Sequence, residues 1–96
     1  MGEVRLGIVG LGRGFMLTLP ALKADPRIRL TAAFDLRASA REAFALEFAT
    51  RSYSSLESLL AAKDVDAVYI ATPHEFHARQ AITALDASKH VLVEKP

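Results

Sequence analysis

The sequence predicts an α/β fold with a doubly wound parallel sheet. Apolar, β-rich runs alternate with helical patterns along all 96 residues, in the order βαβα(β)αβαβ. No linker or low-complexity stretch separates them. All five glycines lie within the first fourteen residues, and Gly10-Leu11-Gly12-Arg13-Gly14 stands directly behind the apolar run from Val4 to Val9. Such alternation gives a parallel sheet with helices on both faces. Ligands of such sheets bind at the C-terminal ends of the strands, where the strand order reverses.

The elements follow in order. The first strand is Val4 to Val9. A helix starts near Gly12–Arg13 and runs to about Asp25, and Pro20 inside it predicts a kink or a break into two short helices. Asp25-Pro26 is a turn signal. The second strand, Ile28 to Phe34, delivers Asp35 at its C-terminal end. Ala40, Ala43, Phe44 and Phe48 form an apolar stripe on a helix from about Ala38 to Ala49. A short strand fits Arg51–Tyr53. Ser54 and Glu57 make a capping box for a third helix that buries Leu56, Leu59 and Leu60. The fourth strand is Ala67 to Ala71. Thr72-Pro73-His74-Glu75 is a second capping box, with proline at the first helical position. The helix behind it runs to about Ala87 and is expected to bury Ala78, Ala81, Ile82 and Leu85. His90 to Val93 is the fifth strand, and His90 is expected to be structural.

Composition bounds the function. The hydrophobic and charged fractions are those of an ordinary globular domain. A net charge of +1, with no lysine or arginine run, gives no reason to expect nucleic acid or a membrane surface. No apolar run is long enough to span a bilayer, and the N-terminus lacks a signal-peptide pattern. There is no cysteine, which excludes disulfides and thiolate chemistry within this stretch. A cytoplasmic location is the expectation. Ending at Glu94-Lys95-Pro96, on the tip of a central strand, reads as a piece of a longer protein whose missing part holds a second domain.

The chemistry gathers where strands end. A glycine turn between a strand and a helix lets backbone approach a phosphate, and the helix N-terminus offers unpaired N–H groups and a positive dipole end. Asp35 follows Gly14 by 21 residues, about the spacing at which a dinucleotide site holds its ribose. Its other reading is an N-cap for the following helix. The glycines could also serve packing alone. Phe15 stands where the fingerprint wants a third small residue, and Gly14 is expected to supply the close packing instead. An S-adenosylmethionine loop is a rival reading. Such loops carry an acid two residues before the first glycine, where this chain has Ile8.

The carboxylate of Asp35 would accept both adenosine ribose hydroxyls and repel a 2′-phosphate, which favours NAD. Arg37 beside it keeps NADP open. His74 and His77 are three apart, with no third ligand to build a metal site, and a capping or surface role is the alternative for each. Lys95 can donate to a substrate hydroxyl or carbonyl and share in proton transfer.

Taken together, Gly7-Ile8-Val9-Gly10-Leu11-Gly12, Asp35, Ala71-Thr72-Pro73-His74-Glu75-Phe76-His77 and Val91-Leu92-Val93-Glu94-Lys95-Pro96 resemble the N-terminal half of the Gfo/Idh/MocA oxidoreductases. The resemblance covers essentially the whole chain. It is similar in particular to the branch containing phthalate cis-dihydrodiol dehydrogenases. The family implies a Rossmann domain, here residues 1–96, joined to a C-terminal α/β domain that carries substrate and oligomer contacts. It implies hydride transfer between NAD(P) and a sugar, cyclitol or related alcohol. By position, Gly10, Gly12, Arg13 and Phe15 would line the pyrophosphate and Asp35 the ribose, and Gly14 and Arg37 beside them are expected to bind the cofactor as well. Thr72, Pro73, His74 and His77 would border the path to the nicotinamide, although family members often have asparagine at the position of His74. Glu94 and Lys95 would sit by the nicotinamide ribose, with Lys95 as the catalytic group. Two other classes stay open: a non-catalytic dinucleotide-binding regulator, and a module that only pairs with itself.

Overall fold

The computed structural model describes residues 3–93. Five strands form one sheet: β1 (Val4–Val9), β2 (Ile28–Phe34), β3 (Arg51–Tyr53), β4 (Ala67–Ile70) and β5 (His90–Val93). Four helices connect them: α1 (Arg13–Ala24), α2 (Ala38–Phe48), α3 (Leu56–Leu60) and α4 (His77–Asp86). The strand order is β3-β2-β1-β4-β5, and every neighbouring pair is parallel. The chain moves outward from β1 to β3, then crosses back to place β4 on the other side of β1. That reversal opens a crevice above the C-terminal ends of β1 and β4.

Strand alternation splits the core in two. Leu6, Ile8, Ala33, Ala67 and Tyr69 face Phe15, Leu19 and Leu22 of α1 and Phe44 of α2. Val9, Ala32, Phe34, Val68 and Ile70 face Leu59 and Leu60 of α3 and Ala84 of α4. Both faces of β1, β2 and β4 are therefore covered towards their C-terminal ends, where these strands are nearly continuous in apolar residues. By contrast, β5 is an edge strand with Leu92 and Val93 exposed, not the central strand its apolar run suggests. Leu6, Ile8, Val9, Leu59, Val68 and Ile70 lose essentially all contact with water. Each such side chain contributes about 1.5–3 kcal/mol of transfer free energy.

Several local expectations need correction. Helix α1 runs unbroken through Pro20, which is exposed and forfeits one backbone hydrogen bond without ending the helix. The cap of α3 is Ser55, not Ser54: its hydroxyl accepts the Ser58 N–H at 3.1 Å. On α2, Ala43 faces solvent, and the inward positions are Ala40, Phe44 and Phe48, spaced by four. Behind β4 the chain makes a single 3-10 turn, His74–Phe76, before α4 begins at His77. No side-chain cap forms there; the Thr72 hydroxyl bonds instead to Gln80 Oε1. A tighter turn shifts the helical phase. The buried positions of α4 are consequently His77 and Ala84, with Ala81 half-buried, while Ala78, Ile82 and Leu85 lie on the exposed side.

The N-terminal end of the sheet is closed by charge. The side chain of Arg5 donates to both carboxylate oxygens of Asp66 at 2.9 and 3.0 Å, and its backbone N–H adds a third bond at 3.0 Å. These bonds hold the Asp66 carboxyl down at about 2. Asp25 is likewise held at about 2 by the side chain and backbone N–H of Arg27. A depressed carboxyl stabilises the fold above its unfolded value of 3.8 and loses that contribution as pH falls towards 2. Both pairs are solvent-exposed, so each effect is small. The melting temperature should fall between pH 4 and pH 2, and Asp66→Asn should flatten that fall. Scanning calorimetry across this window checks it.

Candidate dinucleotide-binding site

A cleft of about 840 Å³ lies over the crevice between β1 and β4. Gly10, Gly12, Arg13 and Gly14 form one wall, Asp35, Leu36 and Arg37 a second, and Thr72, Pro73, Phe76, Arg79 and Gln80 a third. Its volume falls in the range of small-molecule and cofactor sites.

Gly10 is where β1 ends. Its N–H donates to Phe34 O at 2.9 Å, and its φ of +101° lies in the region that L side chains avoid. A Cβ there would stand 2.8 Å from Thr72 Cγ2 and 3.1 Å from Thr72 N. Gly10 therefore lets the β1 and β4 loops touch.

Gly12 is different. It precedes α1 with extended φ and ψ, and a Cβ on it would meet nothing within 4 Å. No side chain caps the helix at this point, and no acidic residue lies in its first turn. The fold leaves open space above the unpaired N–H groups that begin α1, and Arg13 stands beside it. A bound phosphate would find donors, a positive dipole end and room for its oxygens.

Asp35 closes the far end. It is buried, yet its carboxylate is ionised. Burial pushes its carboxyl up, but the side-chain and backbone N–H groups of Arg37 and the Leu11 N–H outweigh that and hold it below the usual range. The Leu11 N–H reaches Oδ2 at 2.8 Å and the Arg37 N–H reaches Oδ1 at 2.8 Å. The N-cap of α2 is Arg37, so the capping alternative for Asp35 does not hold. Arg41 secures this loop from α2, donating to Asp35 O at 2.8 Å and Leu36 O at 3.1 Å.

Three expected contacts fall elsewhere. The ring of Phe15 points into the core, 6.1 Å from Phe44 and 6.5 Å from Phe48 in edge-on contacts. It fills the space between α1 and α2 and does not line the cleft. His77 is buried behind the cleft wall, where its Nε2–H donates to Thr72 O at 2.7 Å. That bond fixes the carbonyl at the end of the β4 loop. His74 is exposed and packs edge-on against His77 at 5.1 Å. Neither histidine lines the cleft. Among the described residues no group of three or more metal-ligating side chains comes together. Glu94 and Lys95 lie outside the described residues.

The model of the oxidoreductase family with an NAD-binding Rossmann fold matches residues 4–96. The chain belongs to the Gfo/Idh/MocA oxidoreductases. Over 94 residues it is 49% identical to 1-carboxy-3-chloro-3,4-dihydroxycyclohexa-1,5-diene dehydrogenase of Comamonas testosteroni, covering 97% of this chain and 24% of the relative. It is 37% identical to dTDP-3,4-didehydro-2,6-dideoxy-alpha-D-glucose 3-reductase of Actinomadura kijaniata, covering 97% and 28%. The crystal structure of a 3-ketoreductase from Actinomadura kijaniata, in complex with NADP and TDP-benzene, superposes with a TM-score of 0.90 at 36% identity. That match covers 99% of this chain and 30% of the other. Thus the chain spans roughly a quarter to a third of the length of these Gfo/Idh/MocA relatives. It is an NAD(P)-binding Rossmann domain of the family, and the cleft residues fit such a cofactor by their open phosphate cradle and buried carboxylate. No described helix is long and apolar enough to cross a membrane.

Sequence reasoning missed Leu36, Phe76, Arg79 and Gln80 as lining residues. Phe76, Arg79 and Gln80 are spaced as i, i+3 and i+4, and Arg79 sits 5.8 Å over the ring of Phe76. That spacing was available as a signal, but it reads correctly only once the 3-10 turn has set the helical phase.

Proposed function

We propose that the protein is an NAD(P)-dependent oxidoreductase that moves a hydride between the nicotinamide and an alcohol or carbonyl substrate. One observation carries this reading. The cradle at Gly12 and the carboxylate of Asp35 open onto one cleft at the switch point of the sheet. Gly10, Gly12, Arg13 and Gly14 would hold the pyrophosphate through backbone N–H groups and charge. Asp35 and Arg37 would meet the adenosine ribose. Thr72 and Pro73 would border the path to the nicotinamide, with His77 holding the Thr72 carbonyl in place. When bound, the dinucleotide supplies the hydride acceptor or donor. The 49% identity to a dihydrodiol dehydrogenase supports a cyclic diol or sugar-like substrate.

Lys95 is the proposed proton-exchanging group. As an alcohol gives up hydride from carbon, its hydroxyl proton must leave, and a lysine amine can take it. In the full-length protein, Lys95→Ala should lower turnover by about 10²–10⁴-fold. Cofactor affinity should change far less. Stopped-flow rates beside a cofactor titration check this. A full-length protein that binds dinucleotide and keeps its cellular role as Lys95→Ala would be a regulator, not an enzyme.

A further inference from the structure

We propose that Arg37 is a built-in competitor for the adenosine ribose, and that it tilts the choice of cofactor towards NADP. This rests on the dinucleotide reading above. Each oxygen of the Asp35 carboxylate already accepts two hydrogen bonds. Oδ1 takes the Arg37 N–H at 2.8 Å and Arg37 Nε at 3.0 Å. Oδ2 takes the Leu11 N–H at 2.8 Å and Arg37 Nη2 at 3.2 Å. A carboxylate offers about four acceptor positions, so this one is full.

The four donors are not alike. Two are backbone N–H groups fixed by the glycine turn and by the loop entering α2. The other two form the side-on fork of a guanidinium whose side chain is 61% exposed. Only that fork can leave. A ribose diol also presents two adjacent donors, so the fork stands where both hydroxyls would bind. NAD must therefore displace Arg37 from a charge-assisted pair before Asp35 can hold its ribose.

NADP makes the opposite demand. Its 2′-phosphate brings negative charge towards a carboxylate, which is repulsive unless that carboxylate is neutralised. Arg37 in place supplies that neutralisation. Nη2 is further tethered by Leu11 O at 3.3 Å. No described atom takes the two N–H groups of Nη1, which remain for the phosphate. One side chain thus opposes one cofactor and supports the other.

The test uses the full-length protein. NAD, NADP, 5′-AMP and 2′,5′-ADP are titrated against wild type, Arg37→Ala and Arg37→Lys, with a thermal melt of each variant. The two mononucleotides isolate the ribose end from the rest of the site. Arg37→Ala should bind NAD and 5′-AMP about three- to tenfold more tightly, and NADP and 2′,5′-ADP at least about tenfold more weakly. Arg37→Lys keeps the charge but not the fork, so it should also gain NAD affinity while losing less NADP affinity. Weaker binding of NAD to both variants, or an unchanged ratio of the two cofactors, would overturn the proposal and leave the dinucleotide reading standing. Failure of wild type to bind either dinucleotide would overturn both.

Discussion

Gly10→Ala should destabilise the fold by about 2–5 kcal/mol and lower the melting temperature by roughly 10 °C or more. Two separate costs add at this position. Alanine at a φ of +101° is strained wherever it stands, by about 1–3 kcal/mol. Its Cβ would also press to 2.8 Å from Thr72 Cγ2, 3.1 Å from Thr72 N and 3.2 Å from the carbonyl carbon of Ala71. Two of those three atoms are backbone and cannot rotate away. A domain of this size has about 5–15 kcal/mol of stability in total, so the loss is a large share. The pairing of β1 with β4 would have to open at its C-terminal end, where Ala71 N–H donates to Val9 O at 2.8 Å. Adding Thr72→Ser to Gly10→Ala removes the closest clashing atom and should restore part of the loss, leaving the φ strain. A thermal melt of both variants checks this. An unchanged melting temperature in Gly10→Ala would mean that the two loops do not meet as described.

Strands were legible because a parallel sheet buried on both faces needs continuous apolar runs, and these stand out against polar helices. Asp35 was legible for a related reason: a strand end fixes where the next acid must stand. What sequence could not supply was rotation about helix axes. The 3-10 turn at His74–Phe76 carries no strong sequence mark, yet it decides whether Ile82 or Ala84 faces the sheet. The same rotation brings Phe76, Arg79 and Gln80 to the cleft and takes His77 behind it. Phe15 misled differently. It occupies a slot where the fingerprint expects a small residue, but the gap between α1 and α2 is wide enough for its ring against Phe44 and Phe48. Local spacing identifies such a position; the partners across the helix decide what fills it.

Gly12 separates the needs of the fold from those of the ligand. Gly10 has a structural reason to be glycine, because its backbone angle and its neighbours both require it. Gly12 has none in the protein itself: its angles suit any residue, and nothing lies within 4 Å of where a Cβ would be. Replacing it should cost the fold about 1 kcal/mol or less, mostly through a poorer helix cap. A phosphate seated on the first turn of α1 would meet the new side chain directly. Crowding of that kind costs about 1–3 kcal/mol, or about 5- to 150-fold in affinity. The deciding measurement is a fluorescence titration of NADH and NADPH against wild type and Gly12→Val, with a melting curve of each. The expected result is a melting temperature within a few degrees of wild type and a dissociation constant raised about 5- to 150-fold for both dinucleotides. Gly12→Val that binds either dinucleotide as tightly as wild type would contradict the placement of the pyrophosphate on this turn.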